Sequence, residues 1–191
     1  MLEGQGARAR PRSWPVVLAW TLVAGELLLV VSLPWFDLLN RRAGRPDLAV
    51  LAPFAIPPTV AALMAGVVGA VLASRRPRHP VGWLLLAMGV NMSISGASVG
   101  YIPYGLVVRP GALPAANVVA RLYPVTIAVV LAAVGFILLL TPTGSPPSPR
   151  WRRWARVSAV AVAVALVAAL IAPGSLDPLA QFVSGPLDPQ V

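Results

Sequence analysis

The chain has 191 residues, of which 58% are hydrophobic and only 11% charged. Soluble globular domains carry about 45–50% apolar and about 25% charged residues, so this balance excludes an ordinary soluble domain. The net charge of +9 comes from fifteen arginines with no lysine, and the absence of cysteine excludes a disulfide framework and a thiolate metal site.

Five apolar stretches have about the length of 20 residues that a helix needs to cross a bilayer. In chain order they are Trp14–Phe36, Leu48–Ser74, Val81–Val107, Asn117–Thr141 and Trp154–Ala172. A lone strand in lipid would leave its backbone groups unpaired, so helices are the expected structure. We predict an all-α, polytopic membrane helical bundle with about five transmembrane helices, in which residues 14–172 form the membrane domain.

The arginines between these stretches predict the orientation of the chain. Ten of the fifteen lie before the first stretch, between the second and third, or between the fourth and fifth. The positive-inside rule places these segments in the cytoplasm. We therefore predict a multi-pass protein of the cell membrane, with a cytoplasmic tail at residues 1–13 and an extracytoplasmic tail at residues 173–191.

The connection RRPRHP, residues 75–80, is predicted to be a cytoplasmic turn whose prolines end one helix and start the next. Its arginines are placed to meet anionic headgroups, and Trp83 follows at the level of an interfacial indole. The bilayer explains this charge without nucleic acid, which we do not expect as a partner. His79 has no acidic or cysteine neighbour and is interpreted as a solvated loop residue.

A carboxylate at Glu26 interrupts the first stretch, and such a residue marks a candidate functional site. At 1.5 Å per residue, Glu26 lies about 18 Å past Trp14. Asn91 lies about 15 Å past Val81 on a helix that runs in the same direction. The candidate intramembrane polar site comprises Glu26, Asn91 and Ser95, with Ser93 and Ser98 nearby. Two interpretations stay open: a functional polar cavity, or a protonated Glu26 that bonds Asn91 or a serine and holds the helices together.

A candidate external pocket is formed by Tyr101, Tyr104 and Arg121, which the predicted topology places near the outer face. The alternative is that the tyrosines belong to the interfacial aromatic belt and that Arg121 extends to the headgroups.

Rows of small residues predict close helix packing. Ala62, Gly66 and Ala70 recur every four residues in the second stretch, and Gly96 and Gly100 form GxxxG in the third. No phosphate-binding glycine loop, polar carboxylate pair or nucleophile–base pair occurs in the sequence. We therefore predict no enzyme activity, no cofactor and no metal ion.

Three segments follow one another in an informative order: SRRPRHPVGWLLLAMGV, YIPYGLVVRPGALPAANVVA and LLLTPTGSPPSPRWRRWARV. They resemble the R-RP-NPIGWLLLAIG, Y-x-x-Y-x-L…PG-x-LP and LLLFPDGRLPSPRWR segments in the multi-span N-terminal input region of actinobacterial-type sensor histidine kinases. IAPGSLDP and GPLDPQV resemble the external stretch of that region. The resemblance covers about residues 50–191.

The chain departs from the family at several positions. PTGS at residues 142–145 stands where the family has PDGR, and His79 stands where it has asparagine. The kinase core, with its phosphoacceptor histidine and ATP-binding domain, has no counterpart in this sequence. The resemblance therefore implies an input module of a two-component system that does not itself transfer phosphate.

The expected function is that of a membrane-embedded sensory or regulatory module. It would act through a change in helix packing, passed to a kinase-type membrane protein or a second copy of the chain. The alternatives are a structural or accessory subunit of a membrane complex, or a small transporter that uses the layer of Glu26 and Asn91.

Overall fold

The structure, a computed structural model, describes residues 14–48, 55–141, 144 and 148–171. Helices and turns make up these residues and no strand occurs among them, which confirms the predicted all-α bundle. The helices are α1 (Trp14–Arg42), α2 (Ile56–Arg75), α3 (Pro80–Pro103), α4 (Ala116–Leu140) and α5 (Pro149–Ile171). A 3₁₀ helix at Pro46–Leu48 follows α1, and a π-helical turn at Tyr104–Val108 continues α3.

Four segments of the described chain are long and apolar enough to cross a membrane: α1, α2, α3 with its π-helical turn, and α4. By length and composition this is a membrane protein. A crossing by α5 and a cytoplasmic N-terminus stay predictions. The two predicted tails, at residues 1–13 and 173–191, lie outside the described residues.

Helix α1 continues six residues beyond the predicted end at Phe36. Its 29 residues extend about 43 Å at 1.5 Å each, which exceeds the roughly 30 Å of a hydrocarbon core. Asp37 and Asn40 are nevertheless buried in this last part. The Asn40 side chain donates a hydrogen bond to the carbonyl of Leu48 at 3.2 Å, so the following connection folds back onto the helix end.

Two ion pairs occupy the same end of α1. Arg41 Nε lies 2.7 Å from Asp37 Oδ2, one helical turn away. Arg45 donates to both oxygens of Asp47 at 2.8–3.1 Å, and these hydrogen bonds hold the pKa of that exposed carboxyl below its ordinary value. Two arginines of this predicted external connection therefore have carboxylate partners, which lowers the net charge it presents.

Helix α2 begins at Ile56, eight residues later than the predicted stretch. Pro57 and Pro58 lie in its first turn, where proline is tolerated because the backbone N–H groups have no intrahelical acceptor. Its 20 residues extend about 30 Å, enough to cross the hydrocarbon core. Residues 49–54 of the predicted stretch lie outside the described part of the chain.

The closest helix contact joins the antiparallel pair α2 and α3. A Cβ atom added at Gly69 would lie 2.8 Å from the carbonyl oxygen of Gly82. A Cβ atom added at Gly89 would lie 2.6 Å from the backbone nitrogen of Gly66 and 2.7 Å from the carbonyl oxygen of Ala62. The two backbones therefore touch without side chains between them, as small residues allow.

The two predicted small-residue rows have different roles. Ala62, Gly66 and Ala70 are all buried, and the first two contribute to the α2–α3 contact. Gly96 does not: a Cβ atom there would meet only Leu33, at 4.0 Å. The close approach of α3 instead uses Gly82 and Gly89.

Helices α4 and α5 lie outside this core. Helix α4 packs mainly on α3 and on α5, and α5 packs on α4. Only Ala116, Ala120 and Ala133 of α4 are buried, and none of the α5 side chains that the structure describes is buried. The bundle thus consists of a close-packed core, α1–α2–α3, with α4 and α5 attached to one side.

We expect Gly69→Ala to lower the free energy of unfolding by about 1–3 kcal/mol, because the new methyl group must displace backbone atoms of α3. Gly135→Ala is the matched control, since nothing lies within 4 Å of a Cβ atom at that position of α4. Thermal melting of both variants in the same detergent measures the difference. Equal melting temperatures would contradict the close α2–α3 contact.

Candidate intramembrane polar site

Glu26 lies where α1 meets the α2–α3 contact, and its side chain is 0% exposed. Ser93 of α3 donates a hydrogen bond to Glu26 Oε1 at 3.2 Å. A Cβ atom at Gly66 would overlap Glu26 Oε2, and one at Gly89 would lie 2.9 Å from Oε1. The carboxyl group thus fills a space that two glycines leave open. We call this space, bounded by Gly66, Gly89 and Ser93, the carboxyl slot.

The second carboxyl oxygen, Glu26 Oε2, is buried and has no hydrogen-bond partner among the described residues. Neither of the ion pairs found there includes Glu26. A buried polar group without a partner costs about 1–3 kcal/mol, and an ionised carboxylate without a cation costs more. Burial of the Glu26 carboxyl group therefore lowers the free energy of unfolding more than a purely structural contact requires. For this reason we regard Glu26 as a functional candidate.

The structure places Asn91 and Ser95 on a different face of α3 from the partner of Glu26. Asn91 Nδ2 donates to the carbonyl oxygen of Thr126 in α4 at 3.0 Å, and the Ser95 and Thr126 hydroxyls lie 3.2 Å apart. Residues four apart share a helix face, whereas Ser93 is rotated about 200° from Asn91. The predicted site grouped Glu26 with Asn91 and Ser95 because they lie at similar depth. In the structure, Asn91 and Ser95 face α4 and Ser93 faces Glu26.

Thr126 is a functional candidate that the sequence did not single out. Its hydroxyl hydrogen-bonds the carbonyl oxygen of Tyr123 at 2.6 Å, and its backbone and side chain both meet α3. It follows Pro124, which lacks the N–H for one helical hydrogen bond. A threonine two residues after a proline in an apolar helix is the available signal, although it does not identify the partners on α3.

A cavity of about 390 Å³ lies among α1, α2, α3 and α4, and we call it the lateral cavity. Its wall includes Val30 and Leu33 of α1, Thr59 of α2, Ser93 and Gly96 of α3, and Thr126 of α4. The hydroxyls of Thr59, Ser93 and Thr126 are already hydrogen-bonded within the protein. The cavity therefore presents mostly apolar surface, and Ser93 belongs both to it and to the carboxyl slot.

The two tyrosines of the predicted external pocket pack around Phe36 of α1. The ring of Tyr101 meets Phe36 edge-on with centroids 5.7 Å apart, and that of Tyr104 lies 6.3 Å away. The Tyr101 hydroxyl donates a 2.5 Å hydrogen bond to the carbonyl of Pro114, so it holds the α3–α4 connection. Arg121 is exposed on α4 and has no ion pair within the described chain.

No protein-family model, curated protein or solved structure matches this chain. The resemblance to kinase input regions therefore rests on the sequence motifs. Within the part of the chain that the structure describes, no three histidine, aspartate or glutamate side chains cluster as a metal site would require.

The carboxyl slot predicts a specific pattern of coupling between residues. The nearest atoms to a Cβ atom at Gly66 belong to the Glu26 side chain, whereas those nearest to one at Gly89 include backbone atoms of α2. Glu26→Ala should therefore relieve most of the destabilisation caused by Gly66→Ala, with a coupling energy of about 1–2 kcal/mol. The destabilisation caused by Gly89→Ala should largely remain in the Glu26→Ala background.

Thermal or denaturant melting of the single and double variants in detergent measures both cycles. Additive effects for Gly66→Ala and Glu26→Ala would place the carboxyl group outside the slot.

Proposed function

We propose that this chain is a sensory or regulatory module of the cell membrane, without catalytic activity of its own, that passes a change in helix packing to a kinase-type membrane protein. The observation that carries the proposal is the position of Ser93. This residue donates a hydrogen bond to the buried carboxyl of Glu26 and also lines the lateral cavity. A ligand in the cavity would therefore contact a side chain that takes part in the packing of the core.

The mobile part in this mechanism is α4. It forms one wall of the lateral cavity and is attached to α3 through the contacts of Thr126 with Asn91 and Ser95. Interhelical hydrogen bonds in membranes contribute only about 0.6 kcal/mol on average, so differential ligand binding can offset them. Because α5 packs on α4, a shift of α4 would carry α5 with it.

The chemistry of the cavity wall supports an apolar ligand that arrives through the bilayer. A volume of about 390 Å³ lies within the roughly 300–1,000 Å³ of small-molecule sites. Its hydroxyl groups are satisfied internally, so they offer little to a strongly polar solute.

The sequence motifs support the class of partner. They resemble the membrane input region of a sensor histidine kinase, the part that passes its change in packing to a kinase core. The partner would therefore be a kinase-type membrane protein that receives the change in packing, directly or through an oligomer of this chain.

One observation favours a second candidate, a small transporter. Glu26 Oε2 lies near the predicted middle of the membrane without a partner among the described residues, as proton-coupling carboxyls of transporters often do. Solute-linked or proton-linked uptake into proteoliposomes that is lost in Glu26→Gln would support this candidate against the sensor.

The sensor can be tested by fixing α4 to the core. The chain contains no cysteine, so Val30→Cys on α1 and Val130→Cys on α4 introduce a unique thiol pair across the lateral cavity. In native cells that lack the chromosomal copy, the wild-type chain should restore the phosphorylation level of a response regulator. A short bifunctional thiol reagent should block the response of the double variant to membrane-active compounds.

Two control variants distinguish the effect of cross-linking α1 to α4 from the effect of thiol modification alone. Val30→Cys alone tests modification of the cavity, and Leu28→Cys with Leu138→Cys places two thiols at exposed positions of the same helices. Neither should lose the response. If deletion of the chain changes no regulator phosphorylation, the sensor proposal is wrong.

A further inference from the structure

A second cavity, of about 810 Å³, lies at the end of the bundle where α1 begins and α2 turns into α3. We call it the turn cavity. It is larger than the lateral cavity and lies outside the carboxyl slot, so the proposed sensor mechanism does not use it. The residues of its wall that matter here are Trp14, Ser74, Arg76, Arg78, His79 and Trp83.

Two buried polar atoms in this wall lack a hydrogen-bond partner among the described residues: Ser74 Oγ and His79 Nδ1. His79 is half-buried, in contrast to the solvated position that the sequence suggested, because Gly144 lies against its ring. A Cβ atom at Gly144 would approach His79 Nε2 to 3.0 Å. Buried hydroxyl and imidazole groups normally find partners, so these two unpaired atoms make the region behind the cavity surface polar.

The charge of the wall indicates that the ligand is an anion. Arg76 and Arg78 are exposed and line the cavity, and neither takes part in the ion pairs of the described chain. None of the described residues that line the turn cavity is acidic. Guanidinium groups bind phosphate through paired hydrogen bonds, which makes arginine the preferred residue for this anion.

The surrounding aromatic residues indicate that the anion belongs to a lipid. Trp14 and Trp83 flank the cavity at the ends of two membrane-spanning helices, and the Trp83 indole is held by a 3.0 Å hydrogen bond to the carbonyl of Pro77. Indoles occupy this position at the headgroup level of a bilayer. A free phosphate would use the arginines but would leave most of the 810 Å³ and the indole surfaces without contact.

We propose that the turn cavity binds the headgroup of an anionic phospholipid. Arg76 and Arg78 pair with its phosphate, and the indoles of Trp14 and Trp83 pack against the glycerol region. The site is independent of the sensor function and would hold for any role of the chain in the membrane.

The test compares the full chain in nanodiscs of phosphatidylcholine with nanodiscs that also contain phosphatidylglycerol. Native mass spectrometry counts the retained phosphatidylglycerol, and thermal melting reports the stabilisation it causes. For the wild-type chain we expect preferential retention of phosphatidylglycerol and a higher melting temperature. The double variant Arg76→Gln/Arg78→Gln should reduce the preference about tenfold, as the loss of charge-assisted hydrogen bonds implies.

The matched control is Arg75→Gln/Arg150→Gln. Both positions are exposed and outside the wall of the turn cavity, and the change in net charge is the same. The control should keep the preference for phosphatidylglycerol. If both double variants lose it equally, the effect is general surface attraction and the site does not exist.

Two further experiments distinguish a lipid from a free anion and paired hydrogen bonds from charge alone. Inorganic phosphate added to phosphatidylcholine nanodiscs should not raise the melting temperature of the wild-type chain; an equal rise would assign the cavity to a free anion instead of a lipid. Arg76→Lys/Arg78→Lys keeps the charge and lacks the paired donors, so it should lose part of the preference. Full retention of the preference in Arg76→Gln/Arg78→Gln would overturn the proposal.

Discussion

The contact between the backbones of α2 and α3 is the constraint on which the rest of this bundle depends. In lipid, apolar side chains gain little from leaving the solvent, so helices associate through close packing and internal hydrogen bonds. Glycines at positions 66, 69, 82 and 89 bring the two backbones together. Two of these glycines, Gly66 and Gly89, also create the space for Glu26, so the same residues provide part of the contact and the carboxyl slot.

The kind of contact differs between the two parts of the bundle. The core of α1, α2 and α3 is joined by buried small residues and by the hydrogen bond from Ser93 to Glu26. Helix α4 is joined to α3 near mid-membrane through Thr126, with the lateral cavity beside that contact. Under the proposed function, a ligand in the cavity would meet the α1–α2–α3 core on one side and α4, which packs on α3 and α5, on the other.

Sequence patterns predicted the helical bundle because apolar length and composition determine which segments suit a bilayer. They also singled out Glu26 and left its partner open between Asn91 and a serine; the structure has Ser93 as the hydrogen-bond donor to Glu26. They placed Asn91 beside Glu26 because depth follows from residue counting, whereas the facing direction depends on how each helix is rotated against its neighbours. The start of α2 at Ile56 was missed because apolar residues before Pro57 and Pro58 extend the hydropathy signal past the helix.

The chemistry of Glu26 distinguishes its two interpretations, a structural bond between helices and a functional carboxyl group. A glutamine at this position would accept the hydrogen bond from Ser93 equally well, and a leucine would occupy the slot without a desolvated oxygen. The carboxyl differs from both in that its charge can change. A charge on Oε2, which faces Gly66, would need a donor that the closed α2–α3 contact does not supply. Under the proposed function, ionisation would therefore disfavour the bond from Ser93 in its present geometry, and Ser93 would pass this change to the lateral cavity and to α4.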